Sequence, residues 1–261
     1  MIFADNILRG KVAVVTGGGT GIGKSISINF ARLGAKIFIA SRKQENVDNG
    51  CEDISKYGKC SGIQADLRNV SDVEKMASAA ITEFGRIDFL INNAGGQFLA
   101  PVEKISANGF DAVVKTNLYN AFYCCKIIGN HMKKQNYGKI VNIVTIYALR
   151  AGPLMAHSGA SRAGVINLTK SLALEWAKNN ITVNAIAPGF VDTTGFKEEL
   201  LQNKEMLEKA KQSVPLKRMA TAQEIADAAA YIVSPAGDYI TGHTLVIDGG
   251  AVLGNWPDFM M

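Results

Sequence analysis

The earliest stretch of the chain able to do chemistry is TGGGTGIG, Thr16–Gly23. Glycines at this density allow a tight turn and let a backbone approach a pyrophosphate. The helix start that follows offers free N–H groups and the positive end of its dipole. The spacing is Gly17-x-x-x-Gly21-x-Gly23, with Thr20 and Ile22 between the glycines, and not the G-x-G-x-x-G form. Its weight comes from its place after an apolar run and at the head of a helical pattern. The next apolar run ends in Ser41, Arg42 and Lys43, where an acidic residue would accept hydrogen bonds from an adenosine ribose. A guanidinium there favours a 2′-phosphate. Charge-assisted hydrogen bonds contribute about 1.5–3 kcal/mol each, a preference of roughly tenfold to hundredfold. NADP(H) is therefore the expected cofactor, with Asp66, followed by Leu67, placed to meet the adenine amino group.

These residues need a frame, and the chain supplies one by alternation. Apolar, β-branched runs at Val12–Thr16, Lys36–Ser41, Ser61–Asp66, Ile87–Asn92, Lys139–Thr145, Ile181–Ala187 and His243–Asp248 read as strands. Between them lie helical patterns: one through Arg32, then Gln44–Lys56 and Val70–Phe84, a long one reaching Lys134, Ser158–Lys178 and Thr221–Val233. Near-continuously apolar strands alternating with helices imply a parallel sheet covered on both sides. The expected fold is a single-domain α/β Rossmann-type doubly wound parallel sheet over residues 1–261. Ligands in such sheets bind beyond the carboxyl ends of the strands, at the switch in strand order.

Composition excludes several classes. No apolar run approaches the ~18 residues that cross a bilayer, so no membrane is expected. The start, Met1 to Lys11, lacks an apolar signal core. The net charge of +5 is dispersed among acidic residues, which argues against nucleic acid and suits anionic small molecules. Cys51, Cys60, Cys124 and Cys125 form no C-x-x-C pair and read as reduced thiols, and adjacent Cys124 and Cys125 are not expected to share one buried face. His131 and His243 lack the spacing of a metal site. Asp258–Met261 is no S-K-L address, which leaves the cytoplasm as the expected location.

Further motifs follow in order: Asn92-Asn93-Ala94-Gly95, then Asn117, then Pro188-Gly189. Together with the glycine loop they resemble the short-chain dehydrogenases/reductases across nearly the whole chain. The resemblance implies that Asn93, Ala94 and Gly95 line the adenosine side. It also implies that Pro188 and Gly189 border the nicotinamide, that Val191 bonds its carboxamide, and that Thr193 reaches the pyrophosphate. Pairing of long helices into a homotetramer is implied as well, with Ala163, Ile166, Leu172 and Ala173 as apolar positions for that surface or, equally, for the internal core.

That family works through a serine and a Tyr-x-x-x-Lys pair, and this chain departs at all three positions. Aligning Arg162–Ala177 with the family helix puts Arg162 on the lysine, Ser158 on the tyrosine and Thr145 on the serine. Serine is a far weaker acid than tyrosine, and arginine does not deprotonate at accessible pH. Arg162 can still hold the nicotinamide ribose. Tyr147, with Ser158 and Asn117, resembles the arrangement of 2,4-dienoyl-CoA reductases. Gly95–Leu99, His157–Ala160, Arg162 and Asn255-Trp256-Pro257 are similar to peroxisomal trans-2-enoyl-CoA reductases. Either likeness implies reduction of a C=C bond conjugated to a CoA thioester, with Tyr147 and Asn117 as donors to an enolate oxygen. The alternatives are a 3-oxoacyl or carbonyl reductase with a shifted tyrosine, and a non-catalytic NADP(H)-binding scaffold.

Overall fold

Strong β formers, buried along nearly their whole length, make β1 (Val12–Thr16), β2 (Lys36–Ser41), β4 (Phe89–Asn92), β5 (Gly138–Ile143) and β6 (Ile181–Pro188). The computed structural model describes residues 3–193 and 204–254. Cys60–Gln64 forms β3 and Thr244–Ile247 forms β9; both lie at the sheet's edges. All seven strands run parallel in the order β3-β2-β1-β4-β5-β6-β9. The order reverses between β1 and β4, which opens a crevice at their carboxyl ends. A two-residue pair, β7 (Val191–Asp192) with β8 (Ala220–Thr221), stands beside the end of β6.

Helices α1 (Gly21–Arg32), α2 (Gln44–Ser55) and α8 (Ala222–Val233) cover one face. Ile26, Phe30, Val47, Ile54, Ile225 and Ala229 bury against Val15, Ile39 and Ile91 there. Helices α3 (Val70–Phe84), α5 (Asn120–Gln135) and α6 (Ala156–Trp176) cover the other, where Met76, Ala80, Ile128, Met132 and Trp176 pack on Phe38, Leu90 and Val183. A short α4 (Ala107–Val114) precedes α5, and α7 (Lys204–Ser213) follows the undescribed residues. No helix among the described residues is long and apolar enough to cross a membrane.

Several elements differ from the expected ones for identifiable reasons. The long helix after β4 is broken into a 3₁₀ turn at Val102–Lys104, α4, a π turn at Lys115–Tyr119 and α5. The π turn holds Asn117, whose side chain bonds the chain beyond β4. Tertiary hydrogen bonding has overridden regular periodicity here. Helix α6 begins at Ala156, so Ser158 lies inside its first turn and not at its cap. Cys124 and Cys125 are both fully buried, because α5 is wedged between the sheet, α3 and α6 and has more than one covered side. Ile166, Leu172 and Ala173 face the internal core and are not surface. Ala163 is exposed, and the large exposed apolar side chains on α5, α6 and the preceding turn are Tyr119, Phe122 and Leu174. The segment Asn255-Trp256-Pro257 lies outside the described residues.

The crevice is closed at its base by one hydroxyl. Thr16 Oγ1 accepts from the backbone N–H groups of Asn93 (2.9 Å) and Ala94 (3.0 Å) and donates to Ile91 O (3.3 Å). Asn93 Nδ2 reaches back to Thr16 O at 3.0 Å. Thr16→Val keeps the shape and strips two N–H groups of their acceptor. It should cost about 1–3 kcal/mol in a urea titration, and a loss below ~0.5 kcal/mol would show that these bonds do not hold the crevice.

Candidate active site

Two adjoining cavities, about 580 and 400 Å³, run along the carboxyl edge of the sheet and share Gly95. Gly17, Thr20, Ser41, Arg42, Lys43, Asp66, Leu67 and Ala94 line the larger one. Ile22, Asn93, Thr145, Arg162, Pro188, Gly189, Val191 and Thr193 line the other. The sequence thus brings together nearly every residue expected to touch a dinucleotide.

The glycine loop is shaped for close approach. Gly17 and Gly21 adopt φ of +64° and +51°, in the left-handed region that side chains avoid. A Cβ on Gly19 would sit 1.9 Å from Asn46 O, and one on Gly23 2.3 Å from Gly17 O. Thr20 makes no capping bond to α1, which leaves the first-turn N–H groups and the dipole for an anion. Gly21 is also within reach of Thr193, whose methyl would lie 3.8 Å from a Cβ built there.

At the adenosine end, Asp66 is engaged more than the sequence suggested. Arg68 Nε donates to Asp66 Oδ1 at 2.9 Å, and its guanidinium forms a second bond to Oδ2, which holds the carboxyl below the usual carboxylate range. Arg68 and Asn46 line this cavity and carry no local sequence signal, because long-range packing brings them in. Arg42 forms no ion pair among the described residues and is exposed beside Lys43.

At the other end stands Arg162. Its Nη1 donates to Ile143 O at 2.6 Å, while its Nε is buried without a partner. Among the described residues no carboxylate pairs with it. Burial lowers its pKa to about 10, so it remains a cation at neutral pH. A Cβ on Gly95 would come within 2.3 Å of the guanidinium and 2.9 Å of Asn117 Oδ1, so a side chain there would push the guanidinium from this seat. An unpaired, desolvated cation is costly unless it serves a ligand. The orphaned Nε and the glycine cradle therefore fit a dinucleotide laid along the two cavities.

Of the candidate catalytic residues, Thr145 and Arg162 line the second cavity, whereas Tyr147, Ser158 and Asn117 lie in the adjoining elements and not among its lining residues. Thr145 lies beyond β5, and its Oγ1 accepts from the Tyr147 N–H at 3.5 Å, which caps the short turn Ile146–Ala148. The half-buried Tyr147 packs on Ile146 and Phe190. Its carbonyl would meet a Cβ on Gly159 at 3.0 Å, which sets the turn directly against α6 next to Ser158. Ser158 is buried and donates to Gln97 Oε1 at 3.0 Å. Gln97 lines the second cavity, yet sequence reasoning gave it no role although it sits in the quoted Gly95–Leu99 stretch. His157 packs edge-on against Phe98 at 4.2 Å between ring centroids.

Asn117 is a brace. Its Nδ2 donates to Gly96 O and Ser161 Oγ, both at 3.1 Å, and its Oδ1 accepts from Gly96 N–H at 3.0 Å. Both amide hydrogens are engaged within the protein. Ser161 passes the link on by donating to Ser158 O at 3.0 Å. The π turn, the chain after β4 and the start of α6 are thereby locked together.

Known proteins resemble this chain over nearly its whole length. A family model described as enoyl-(acyl carrier protein) reductase matches residues 17–252. A Bacillus subtilis (strain 168) protein named probable 2,4-dienoyl-CoA reductase [(2E)-enoyl-CoA-producing] is 37% identical over 95% of this chain and 98% of its own. A Rattus norvegicus protein named peroxisomal 2,4-dienoyl-CoA reductase [(3E)-enoyl-CoA-producing] is 36% identical, over 96% of this chain and 86% of its own. The crystal structure of a short chain dehydrogenase from Bacillus anthracis superposes with a TM-score of 0.88 at 41% identity, covering 95% of this chain and 98% of that one. With sheet order, glycine loop and cleft in agreement, the chain belongs to the short-chain dehydrogenase/reductase family and is an oxidoreductase of the nicotinamide-dinucleotide kind.

Proposed function

We propose that this protein is an NADPH-dependent reductase of a C=C bond conjugated to a CoA thioester, acting on a 2,4-dienoyl-CoA or a trans-2-enoyl-CoA. The observation that carries the reading is the state of Arg162 and Ser158. Arg162 is a fixed cation that gives up no proton at neutral pH, and the Ser158 hydroxyl is already donated to Gln97. An alkoxide formed from a ketone needs a full proton from such a pair. An enolate needs only donors aimed at its oxygen, each worth about 2.7–4 kcal/mol in comparable sites. The names of the relatives support a thioester substrate of this type.

When bound, the reduced nicotinamide supplies a hydride to the far carbon of the conjugated system. Arg162 holds the ribose and adds positive charge at the cavity wall. Gln97 accepts from Ser158 through Oε1, and its Nε2 makes no hydrogen bond among the described residues, so it can donate to the thioester oxygen with Tyr147. Tyr147 or water then protonates carbon. Asn117 keeps the Gly96 backbone in place beneath these donors. The 2′-phosphate falls to Arg42 and Lys43, where an acidic residue would have turned it away.

Three outcomes test the reading. Tyr147→Phe should slow dienoyl- or enoyl-CoA reduction by about 10²-fold or more with NADPH affinity unchanged, while Ser158→Ala costs less. A silent Tyr147→Phe with a dead Ser158→Ala would move the donor role to serine. Arg42→Ala should weaken NADPH binding by about tenfold or more and leave the weaker NADH binding alone; equal losses for both would show that Arg42 supports the fold. The protein should also be a homotetramer, built on the exposed Tyr119, Phe122 and Leu174, and light scattering that shows a monomer at micromolar concentration would contradict it.

A further inference from the structure

Away from the catalytic end, two cysteines that are distant from any sequence motif meet in space. Cys51 lies in the last turns of α2, and Cys60 opens the edge strand β3. Their sulfurs are 3.4 Å apart, with Cys60 Sγ donating to Cys51 Sγ. Both are free thiols and partly exposed, whereas Cys124 and Cys125 are sealed in the core. A disulfide needs about 2.05 Å, so the two sulfurs must close by about 1.4 Å. The turn Tyr57-Gly58 between the two elements has no strand or helix to disrupt.

Helix α2 is the back wall of the adenosine end. A Cβ on Gly50 would lie 2.6 Å from Gly19 Cα, and Gly19 leaves no room beneath Asn46 O. Asn46, together with Arg42 and Lys43 just before α2, lines the larger cavity. Lys24 of α1 is paired with Asp53 of α2, which couples the helices further. Any displacement of α2 at Cys51 is therefore felt at the glycine loop, where the packing is already close.

We propose that Cys51 and Cys60 are a redox modification site: a reversible disulfide, formed by exchange with a small-molecule disulfide, that fastens α2 to β3 and weakens dinucleotide binding. Cys51 thiolate attacks one sulfur of the small disulfide and releases its other half as a thiolate. Cys60 thiolate then attacks Cys51 Sγ in the mixed disulfide and releases the second half. The two cysteine sulfurs are oxidised, the small disulfide is reduced to two thiols, and the two cysteine protons end on those thiols. The order follows from the contact: the hydrogen bond from Cys60 lowers the Cys51 pKa and raises that of Cys60. A dithiol that is partly exposed and not held as a permanent bridge suits a transient intracellular couple.

The test uses the full-length protein, reduced and then exposed to oxidised glutathione. Intact mass should fall by two hydrogens with no glutathione retained, and peptide mapping should join Cys51 to Cys60. Cys60→Ser should retain one glutathione on Cys51, and Cys51→Ser should react slower by about tenfold or more. NADPH should bind the oxidised protein more weakly by about fivefold or more, with the Cys51→Ser/Cys60→Ser double variant insensitive to the oxidant. Stable glutathione adducts on the unmodified chain, no reaction at either thiol, or unchanged NADPH affinity after the link has formed would each overturn the proposal.

Discussion

One half-buried cation sets the terms for this cleft. Arg162 sits where β4 and β5 end, anchored on Ile143 O and pressed against Gly95, with no carboxylate to neutralise it among the described residues. Its guanidinium occupies the space beside Gly95 that a side chain would need, and Gly95 is the residue shared by the two cavities. The neighbouring Gly96 is then held on both its N–H and its C=O by Asn117, which in turn sits in a π turn. The guanidinium, the shared glycine and the Asn117 brace thus meet at consecutive residues, Gly95 and Gly96, of the chain after β4.

The same cation decides what chemistry is open. A lysine could share a tunable proton with a tyrosine; an arginine here supplies charge and hydrogen bonds only. Placing serine four residues before it removes the acidic phenol as well, and the serine hydroxyl is turned onto Gln97. A site with fixed donors and no proton relay suits charge that develops on oxygen while the proton goes to carbon. The carboxyl-edge cavities provide this without strain in the sheet, whose strands keep their parallel register to the last residues before the cleft.

Much of this was legible in the sequence, and the reasons are local. Alternating apolar runs specify strands and helices because burial alone selects them, so β1, β2, β4 to β6 and most helix positions follow from Val, Ile and Ala spacing. The glycine loop and the Ser41-Arg42-Lys43 end of β2 were legible as parts of one cleft because both follow directly on apolar strands, and the fold lines the larger cavity with Gly17, Thr20, Ser41, Arg42 and Lys43. Asn117 was legible as a candidate, but its partners were not: Gly96 and Ser161 are brought to it only by the fold. Gln97, Arg68 and Asn46 escaped for the same reason, since each acquires its place through contacts far apart in sequence. Two adjacent buried cysteines on α5 ran against the expectation of a one-sided helix, which holds at a surface and fails for a helix wedged between three neighbours.

The central claim is that hydride goes to carbon conjugated with a thioester and not to a carbonyl. Its most direct test is to reduce a 2,4-dienoyl-CoA, crotonyl-CoA and acetoacetyl-CoA with NADPH deuterated at the transferred position and to locate the label by NMR. The account predicts deuterium on the far carbon of the reduced dienoyl or enoyl chain and no turnover of acetoacetyl-CoA. Deuterium on the carbonyl carbon of a 3-hydroxyacyl product, with the unsaturated thioesters untouched, would contradict it.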